Sequence, residues 1–231
     1  MCRVVDLQQA VLAKNTMAAG ILRGELTARG TTVVNLLSSP GSGKTALLER
    51  ELTIARERGV PAAALTADLA TENDAVRLGR SGVPVKQVLT DGLCHLEADM
   101  LAGHLHNWLP EDTRLLFVEN VGNLVCPASY DLGETLRVVL AAVTEGEDKP
   151  LKYPTAFGLA HLVIVTKADL AGPAEFDEAA FRANVQQVNP GVEVVLSSVR
   201  SAQGAGLLVE RALAAAEGAE VHDPVMAQAR A

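Results

Sequence analysis

The chain has 231 residues, a net charge of −8 at pH 7, 48% hydrophobic residues and only 3% aromatic ones. This length suits one α/β domain with a sizeable core, and the acidic balance argues against nucleic acid, whose phosphates would repel the surface. No stretch approaches the roughly 18–20 apolar residues of a membrane span, and the first residues lack the apolar centre of a signal peptide. We therefore expect a cytoplasmic protein without a membrane partner.

Strand and helix signals alternate along the chain after an N-terminal helix predicted over residues 4–29. Strands or β-rich runs are predicted at 32–37, 62–67, 83–89, 114–118, 135–143, 161–165 and 192–196, and helices at 46–52, 71–81, 96–108, 175–187 and 206–217. This order predicts an α/β fold with a mostly parallel sheet covered by helices on both faces. The expected parts are an N-terminal helical arm (1–30), a main domain (31–217) and a disordered tail (218–231).

The loop that joins the first strand to the next helix reads SSPGSGKT, from Ser38 to Thr45. Glycines let backbone N–H groups surround a β-phosphate, and the following helix adds partial positive charge. Lys44 is expected to reach the β- and γ-phosphates and Thr45 to bind Mg²⁺. Backbone contacts would come from Gly41, Ser42 and Gly43. The stretch predicts a nucleotide site rather than a turn that merely caps a helix, although the usual first glycine is Ser38.

The segment Thr166–Asp169 follows a buried strand and resembles the guanine-reading motif of GTPases. The Asp169 carboxylate can accept hydrogen bonds from N1–H and the 2-amino group of guanine, which adenine does not offer in that arrangement. The Lys167 stem can lie over the base, and Ser198 with Val199 can present N–H groups to O6. The usual first residue is Asn, so Thr166 is expected to lose a side-chain bridge to the phosphate loop. The simpler alternative is a helix-capping aspartate.

Two carboxylates, Asp68 and Glu119, each end an apolar strand beside the phosphate loop. Mg²⁺ prefers oxygen ligands and keeps several waters, so one or two carboxylates suffice. Both are predicted to act with Lys44 and Thr45 in catalysis, and Asp74 is a weaker third candidate. No arginine or glutamine stands out as a catalytic finger, so slow intrinsic hydrolysis is expected.

Cys94, His95 and Cys126 lie in polar loops and suggest a second, softer metal site. Two thiolates and an imidazole suit Zn²⁺ or Ni²⁺ rather than Mg²⁺. One chain offers one ligand fewer than a tetrahedral or square-planar site needs. A dimer with these loops on its two-fold axis would offer enough ligands. The alternative is that both cysteines are small buried apolar residues.

The short segment between Glu119 and Cys126 links the two predicted metal sites. If Glu119 senses Mg²⁺ and the γ-phosphate, the segment must move on hydrolysis and carry Cys126 with it. We therefore expect the nucleotide state to set the affinity of the soft-metal site.

Three segments together resemble one known family. They are Cys94–Ala98 (CHLEA), Glu119–Pro127 (ENVGNLVCP) and Thr144–Pro150 (TEGEDKP). They closely resemble the hydrogenase nickel-incorporation GTPases, the HypB family, and the match runs from about Val4 to Leu213. The resemblance implies a P-loop GTPase fold of the SIMIBI type, with residues 31–217 as the GTPase domain.

The resemblance also implies an activity and partners. The activity is conversion of GTP to GDP and phosphate by a GTP-linked homodimer that holds nickel or zinc at its interface through Cys94, His95 and Cys126. The partners are a zinc protein of the HypA type and the large subunit of [NiFe]-hydrogenase. Only Cys2 stands where some members carry a Cys-rich or His-rich tract, so nickel storage is not expected. Three alternatives remain open: a metallochaperone GTPase for urease or a cobalamin enzyme, a small-molecule kinase, or a zinc-stabilised scaffold.

Overall fold

The computed structural model describes residues 3–68, 73–90 and 92–228. Seven strands are present in this part of the chain: β1 Thr32–Ser38, β2 Ala62–Asp68, β3 Val85–Leu89, β4 Leu115–Glu119, β5 Leu136–Ala142, β6 Leu162–Thr166 and β7 Glu193–Leu196. Its helices are α1 Arg3–Ala28, α2 Lys44–Glu57, α3 Asn73–Gly79, α4 Ala98–Leu105, α5 Lys149–Lys152, α6 Pro154–Gly158, α7 Glu178–Val188, α8 Leu207–Ala216 and α9 Val225–Gln228. Cys2 lies outside the described residues.

The seven strands form one sheet in the order β3-β2-β4-β1-β5-β6-β7, and every neighbouring pair is parallel. The predicted α/β class with a parallel sheet is confirmed. Strands β1, β4, β5 and β6 are buried at every position, as expected for central strands covered on both faces. Because all strands run the same way, the loops after their carboxyl ends share one rim, where ligands of such sheets bind.

Apolar clusters cover both faces of the sheet and hold α1 in place. Leu22 and Leu26 of α1 join the cluster that contains Leu101 of α4 and Leu116 of β4. On the same part of the helix, Gly133 approaches so closely that an added Cβ would lie 2.8 Å from the Ala19 carbonyl oxygen. The N-terminal helix therefore packs on the main domain through buried leucines and a close backbone contact. No helix among the described residues is both long and apolar enough to cross a membrane.

The sequence did not indicate three short helices. Helices α5 and α6 each carry proline in their first turn, and both are too short to show a helical apolar period. Helix α9 falls where a disordered tail is predicted, and its Met226 lies against Gly158 at the end of α6. The prediction of a frayed tail therefore differs from the structure at residues 225–228, whereas the division of the chain into arm and domain stays a prediction.

The environment of His161, just before β6, leads us to expect that the free energy of unfolding depends on pH. Its Nδ1 accepts a hydrogen bond from the Arg137 backbone N–H at 2.7 Å, and burial with the nearby Arg137 charge lowers its pKa from 6.5 to about 4. Between these values the unfolded chain binds more protons, so stability is lost as pH falls through this window. We expect a loss of up to about 1.4 kcal/mol per pH unit.

Urea unfolding at pH 7 and pH 5 tests this expectation. The difference between the two free energies of unfolding should shrink in His161→Gln, whose side chain can still accept the Arg137 bond. Equal pH dependence in both proteins would show that His161 is not the responsible group.

Candidate functional site

The phosphate loop leaves β1 at Ser38 and enters α2 at Lys44. Gly41 and Gly43 have φ values of 75° and 91°, a region that glycine adopts without the strain of a Cβ. A cavity of about 510 Å³ opens over the loop and the start of α2. It is also lined by Asp68, Asp74, Arg77, Glu119 and Gly122. The loop and the predicted strand-end carboxylates therefore share one cavity, large enough for phosphates and a hydrated cation.

Glu119 is the centre of the contacts inside this cavity. Its Oε1 accepts a hydrogen bond from the Thr45 hydroxyl at 2.6 Å and lies 3.2 Å from the Lys44 ammonium nitrogen. The side chain is only 1% exposed, and its Oε2 is buried without a hydrogen-bond partner. A buried carboxylate oxygen that lacks a donor, beside a hydroxyl that can also ligate, is a donor set suited to Mg²⁺.

Lys44 also binds the main chain beyond Glu119. Its Nζ donates to the Asn120 carbonyl oxygen at 2.6 Å. Gly122 lies against Pro40 of the phosphate loop, with an added Cβ only 3.4 Å from the proline. The first part of the segment that leads to Cys126 is thus in direct contact with the loop that would hold phosphate.

A second cavity of about 280 Å³ adjoins the phosphate loop at the ends of β6 and β7. Its lining includes Thr166, Lys167, Asp169 and Val199. Lys167 Nζ donates to the Gly41 carbonyl oxygen at 2.7 Å, and Asp169 Oδ1 accepts from the Ser198 hydroxyl at 2.5 Å. The structure therefore brings the residues assigned to the base together beside Gly43, at one cavity.

The expectation about Thr166 is wrong. Its hydroxyl donates to the Ser42 carbonyl oxygen at 2.5 Å, so a side-chain bridge to the phosphate loop is present. The short threonine suffices because the end of β6 lies directly against the loop. A reduced hold on the loop is therefore not expected from the Asn-to-Thr difference in the motif.

Two further cations contact the site. Arg50 of α2 donates to the Ser198 carbonyl oxygen at 2.7 Å and to the Ser197 hydroxyl at 3.2 Å, and so holds the loop after β7. Arg50 was not predicted as a site residue, since an arginine on a helix carries no signal for a contact 148 residues away. Lys149, which is 7% exposed, donates to the Ser39 hydroxyl at 2.6 Å and pairs with Glu145 at 3.0 Å.

The two cysteine loops lie side by side at the same rim. A hydrogen bond with Cys126, together with burial, raises the pKa of the Cys94 thiol. Cys94 Sγ is 3.7 Å from His95 Nδ1, and the His95 ring stacks on Tyr130 with 3.9 Å between centroids. Cys94 therefore lies near both His95 and Cys126, and Tyr130 is a neighbour that the sequence did not indicate.

The donor chemistry of this group fits a borderline metal, but one chain does not complete a site. His95 Nε2 is buried without a hydrogen-bond partner and lies 3.6 Å from Glu97 Oε1, beyond hydrogen-bond distance. Within the described ranges, no three His, Cys, Asp or Glu side chains converge as a metal site. Two thiols and a ring nitrogen without a hydrogen-bond partner are donors of the kind that a borderline cation prefers.

Comparison with known proteins agrees with this geometry. Residues 32–196 match the family model described as the CobW/HypB/UreG nucleotide-binding domain. The chain is 45% identical over 204 residues to a hydrogenase maturation factor HypB from Azotobacter vinelandii, covering 88% of this chain and 67% of that one. It is 38% identical over 198 residues to a hydrogenase/urease maturation factor HypB from Helicobacter pylori, covering 84% and 81%.

A solved structure agrees as well. The crystal structure of HypB from Helicobacter pylori in complex with nickel has a TM-score of 0.79 and 37% identity, covering 87% of this chain and 95% of that one. The family match spans the phosphate loop, both cysteine loops and the base motif. The chain therefore belongs to the HypB family of hydrogenase maturation factors, within the CobW/HypB/UreG nucleotide-binding group.

Proposed function

We propose that this protein is a GTP-hydrolysing metallochaperone. It binds nickel or zinc at a homodimer interface and assists the insertion of nickel into [NiFe]-hydrogenase, with the nucleotide state controlling metal binding and release. Its partners are a HypA-type zinc protein and the hydrogenase large subunit. The observation that carries the proposal is the segment from Glu119 to Cys126, which contacts the phosphate loop at one end and comes near Cys94 at the other.

The nucleotide is GTP, and the protein converts it to GDP and phosphate. Asp169 lies beside the phosphate loop in a pocket where it can accept two hydrogen bonds from guanine, and an adenine would leave this acceptor without a donor. Lys44 would contact the β- and γ-phosphates, while Gly41, Ser42 and Gly43 supply backbone N–H groups. Thr166 and Lys167 hold the loop to the end of β6.

Mg²⁺ would be held by Thr45 and Glu119, with Asp68 at the edge of the same cavity. When bound, the ion neutralises charge that develops on the phosphates. Arg77 reaches this cavity, but its guanidinium binds Glu49 at 2.6 Å. Because no further arginine or glutamine in the described lining is placed to stabilise that charge, turnover by the isolated chain is slow.

Control of the soft-metal site follows from an exchange of partners at Lys44. Its Nζ binds the Asn120 carbonyl oxygen and lies near Glu119, so it must give up these contacts to reach a phosphate. Asn120 begins the segment that ends at Cys126, and Gly122 within it lies against Pro40. Nucleotide binding therefore alters the position of a metal ligand through a continuous stretch of chain.

A second recipient of nickel has support from one comparison. The Helicobacter relative is named a hydrogenase/urease maturation factor. Urease is therefore the alternative recipient of the same nickel site.

Loss of nickel binding in Cys94→Ala tests this assignment. We expect its Ni²⁺ affinity to fall at least about tenfold, because a thiolate ligand is removed. Cys2→Ala makes the same change at the third cysteine and should bind Ni²⁺ like the wild type. Equal affinity of Cys94→Ala and wild type, measured by calorimetric titration, would contradict the assignment.

A further inference from the structure

One polar side chain of the N-terminal helix lies between the two loops that carry Cys94, His95 and Cys126. Asn15 of α1 is only 6% exposed. Its Nδ2 donates to the Asp131 carbonyl oxygen at 2.8 Å, and its Oδ1 accepts from the Ala98 backbone N–H at 2.9 Å. The amide thus uses one donor and one acceptor on two separate segments of the chain, and a rotation of the amide by 180° would oppose like groups on both sides.

Both bonds end close to the metal-ligand candidates. Ala98 is the first residue of α4 and follows directly on the loop that holds Cys94 and His95. Asp131 follows Tyr130, whose ring stacks on His95, in the stretch that begins at Cys126. Asn15 is therefore bonded to the chain shortly after each ligand, at Ala98 after Cys94 and His95 and at Asp131 after Cys126.

Helix α1 supplies contacts at both Ala98 and Asp131. The residue before α4, Glu97, makes no side-chain hydrogen bond to the helix start, so the Asn15 oxygen supplies the cap from another helix. On the other loop, Arg23 of α1 binds both carboxylate oxygens of Asp131 at 2.7 Å, and Asp131 Oδ1 accepts from Gly133 N–H at 2.8 Å. Helix α1 therefore holds Asp131 of the second loop through two side chains, Asn15 and Arg23.

We propose that Asn15 is a positioning residue for the soft-metal site, which it serves by fixing the separation of the two loops that carry Cys94, His95 and Cys126. The inference rests on the proposed nickel-binding role of these residues. It also assigns a function to α1: a helix outside the sheet sets the geometry of a site at the sheet's rim. Contacts of this kind, beyond the ligands themselves, typically change metal affinity by about 10–100-fold.

The test is a Ni²⁺ titration of the full chain, with GDP bound, in the wild type, Asn15→Leu and Asn15→Asp. Leucine has a similar size but makes neither bond, whereas aspartate keeps the acceptor for Ala98 N–H and sets a second oxygen against the Asp131 carbonyl. We expect about tenfold weaker Ni²⁺ binding in Asn15→Leu, a smaller loss in Asn15→Asp, and a change in the thiolate-to-nickel absorption band of both. GDP affinity should stay within about twofold of the wild type, because no residue of 92–98 or 126–131 lines either nucleotide cavity.

The matched control is Asn189→Leu. Asn189 is also buried, and its amide donates to two carbonyl oxygens, those of Phe157 and Ala160. This control should lower the melting temperature without altering the nickel band. The inference is overturned if both Asn15 variants match the wild type in affinity and spectrum, or if Asn189→Leu reproduces their losses. If Asn15→Leu does not fold, the Ni²⁺ affinity and absorption band of Asn15→Asp alone are compared with those of the wild type, and a match overturns the inference.

The result also separates this inference from the proposed function. Adding Cys94→Ala and a GTP analogue to the series tests the nickel site and its control by nucleotide. Nickel binding that ignores the nucleotide would contradict the proposed switch, yet the Asn15 comparison would stand because it is made in one nucleotide state.

Discussion

GTP turnover is expected to fall at least about a hundredfold when Lys44 is replaced with alanine, since removal of one preorganised charge from a phosphoryl-transfer site typically costs that much. The Lys44 ammonium lies 3.2 Å from Glu119 Oε1 and 2.6 Å from the Asn120 carbonyl oxygen, at the floor of the phosphate cavity. Its loss removes the cation that would contact the β- and γ-phosphates. It also leaves the buried Glu119 carboxylate without its nearest cation.

Phosphate release at saturating GTP measures this effect. Lys86→Ala serves as the control, because the Lys86 ammonium donates to the His104 carbonyl oxygen at 2.7 Å, away from both nucleotide cavities. Circular dichroism melting of both variants separates lost activity from lost folding. Turnover of a folded Lys44→Ala protein within about twofold of the wild type would remove Lys44 from the mechanism.

Base specificity should change when Asp169 is replaced with asparagine. The carboxylate lines the pocket of about 280 Å³ and is held by the Ser198 hydroxyl. An amide cannot accept both guanine N–H groups, so GTP affinity should fall by about a thousandfold. Xanthine carries a carbonyl where guanine has its 2-amino group, and the new amide can donate to it. We therefore expect XTP to bind the variant better than GTP does.

Competition against a fluorescent GDP analogue gives these affinities. Asp177→Asn is the matched control: Asp177 caps α7 by accepting from Ala180 N–H at 2.9 Å and lies outside the pocket lining. Its GTP affinity should equal that of the wild type. Unchanged GTP affinity in Asp169→Asn would show that the base is read elsewhere.

The strands and the nucleotide site were predictable because their signals are local. Each central strand is a short apolar run, and the phosphate loop and base motif carry their chemistry in consecutive residues. Strand β1 begins at Thr32, and the predicted run begins there too. Asp68 and Glu119 were expected to lie close together because each ends a strand, and parallel strands place their carboxyl ends at a common rim.

What the sequence did not reveal depends on contacts between distant residues. The bonds of Arg50 to the loop after β7 join positions 148 and 147 residues apart, and that of Asn15 to Asp131 joins positions 116 apart. Asparagine or arginine on a helix looks like a solvated residue until packing defines its surroundings. For Thr166, comparison with the usual motif predicted the loss of a side-chain bridge to the phosphate loop. The bridge is present because the phosphate loop lies close enough for the threonine hydroxyl to reach it.

We propose that the nucleotide state controls a metal site shared by two chains. The most direct test is the mass of the wild-type protein by light scattering during a Ni²⁺ titration, once with GDP and once with a non-hydrolysable GTP analogue. We expect the Ni²⁺ affinity to differ between the two nucleotides and tight binding to coincide with a doubled mass. Equal Ni²⁺ affinity and a monomer mass in both nucleotide states would contradict it.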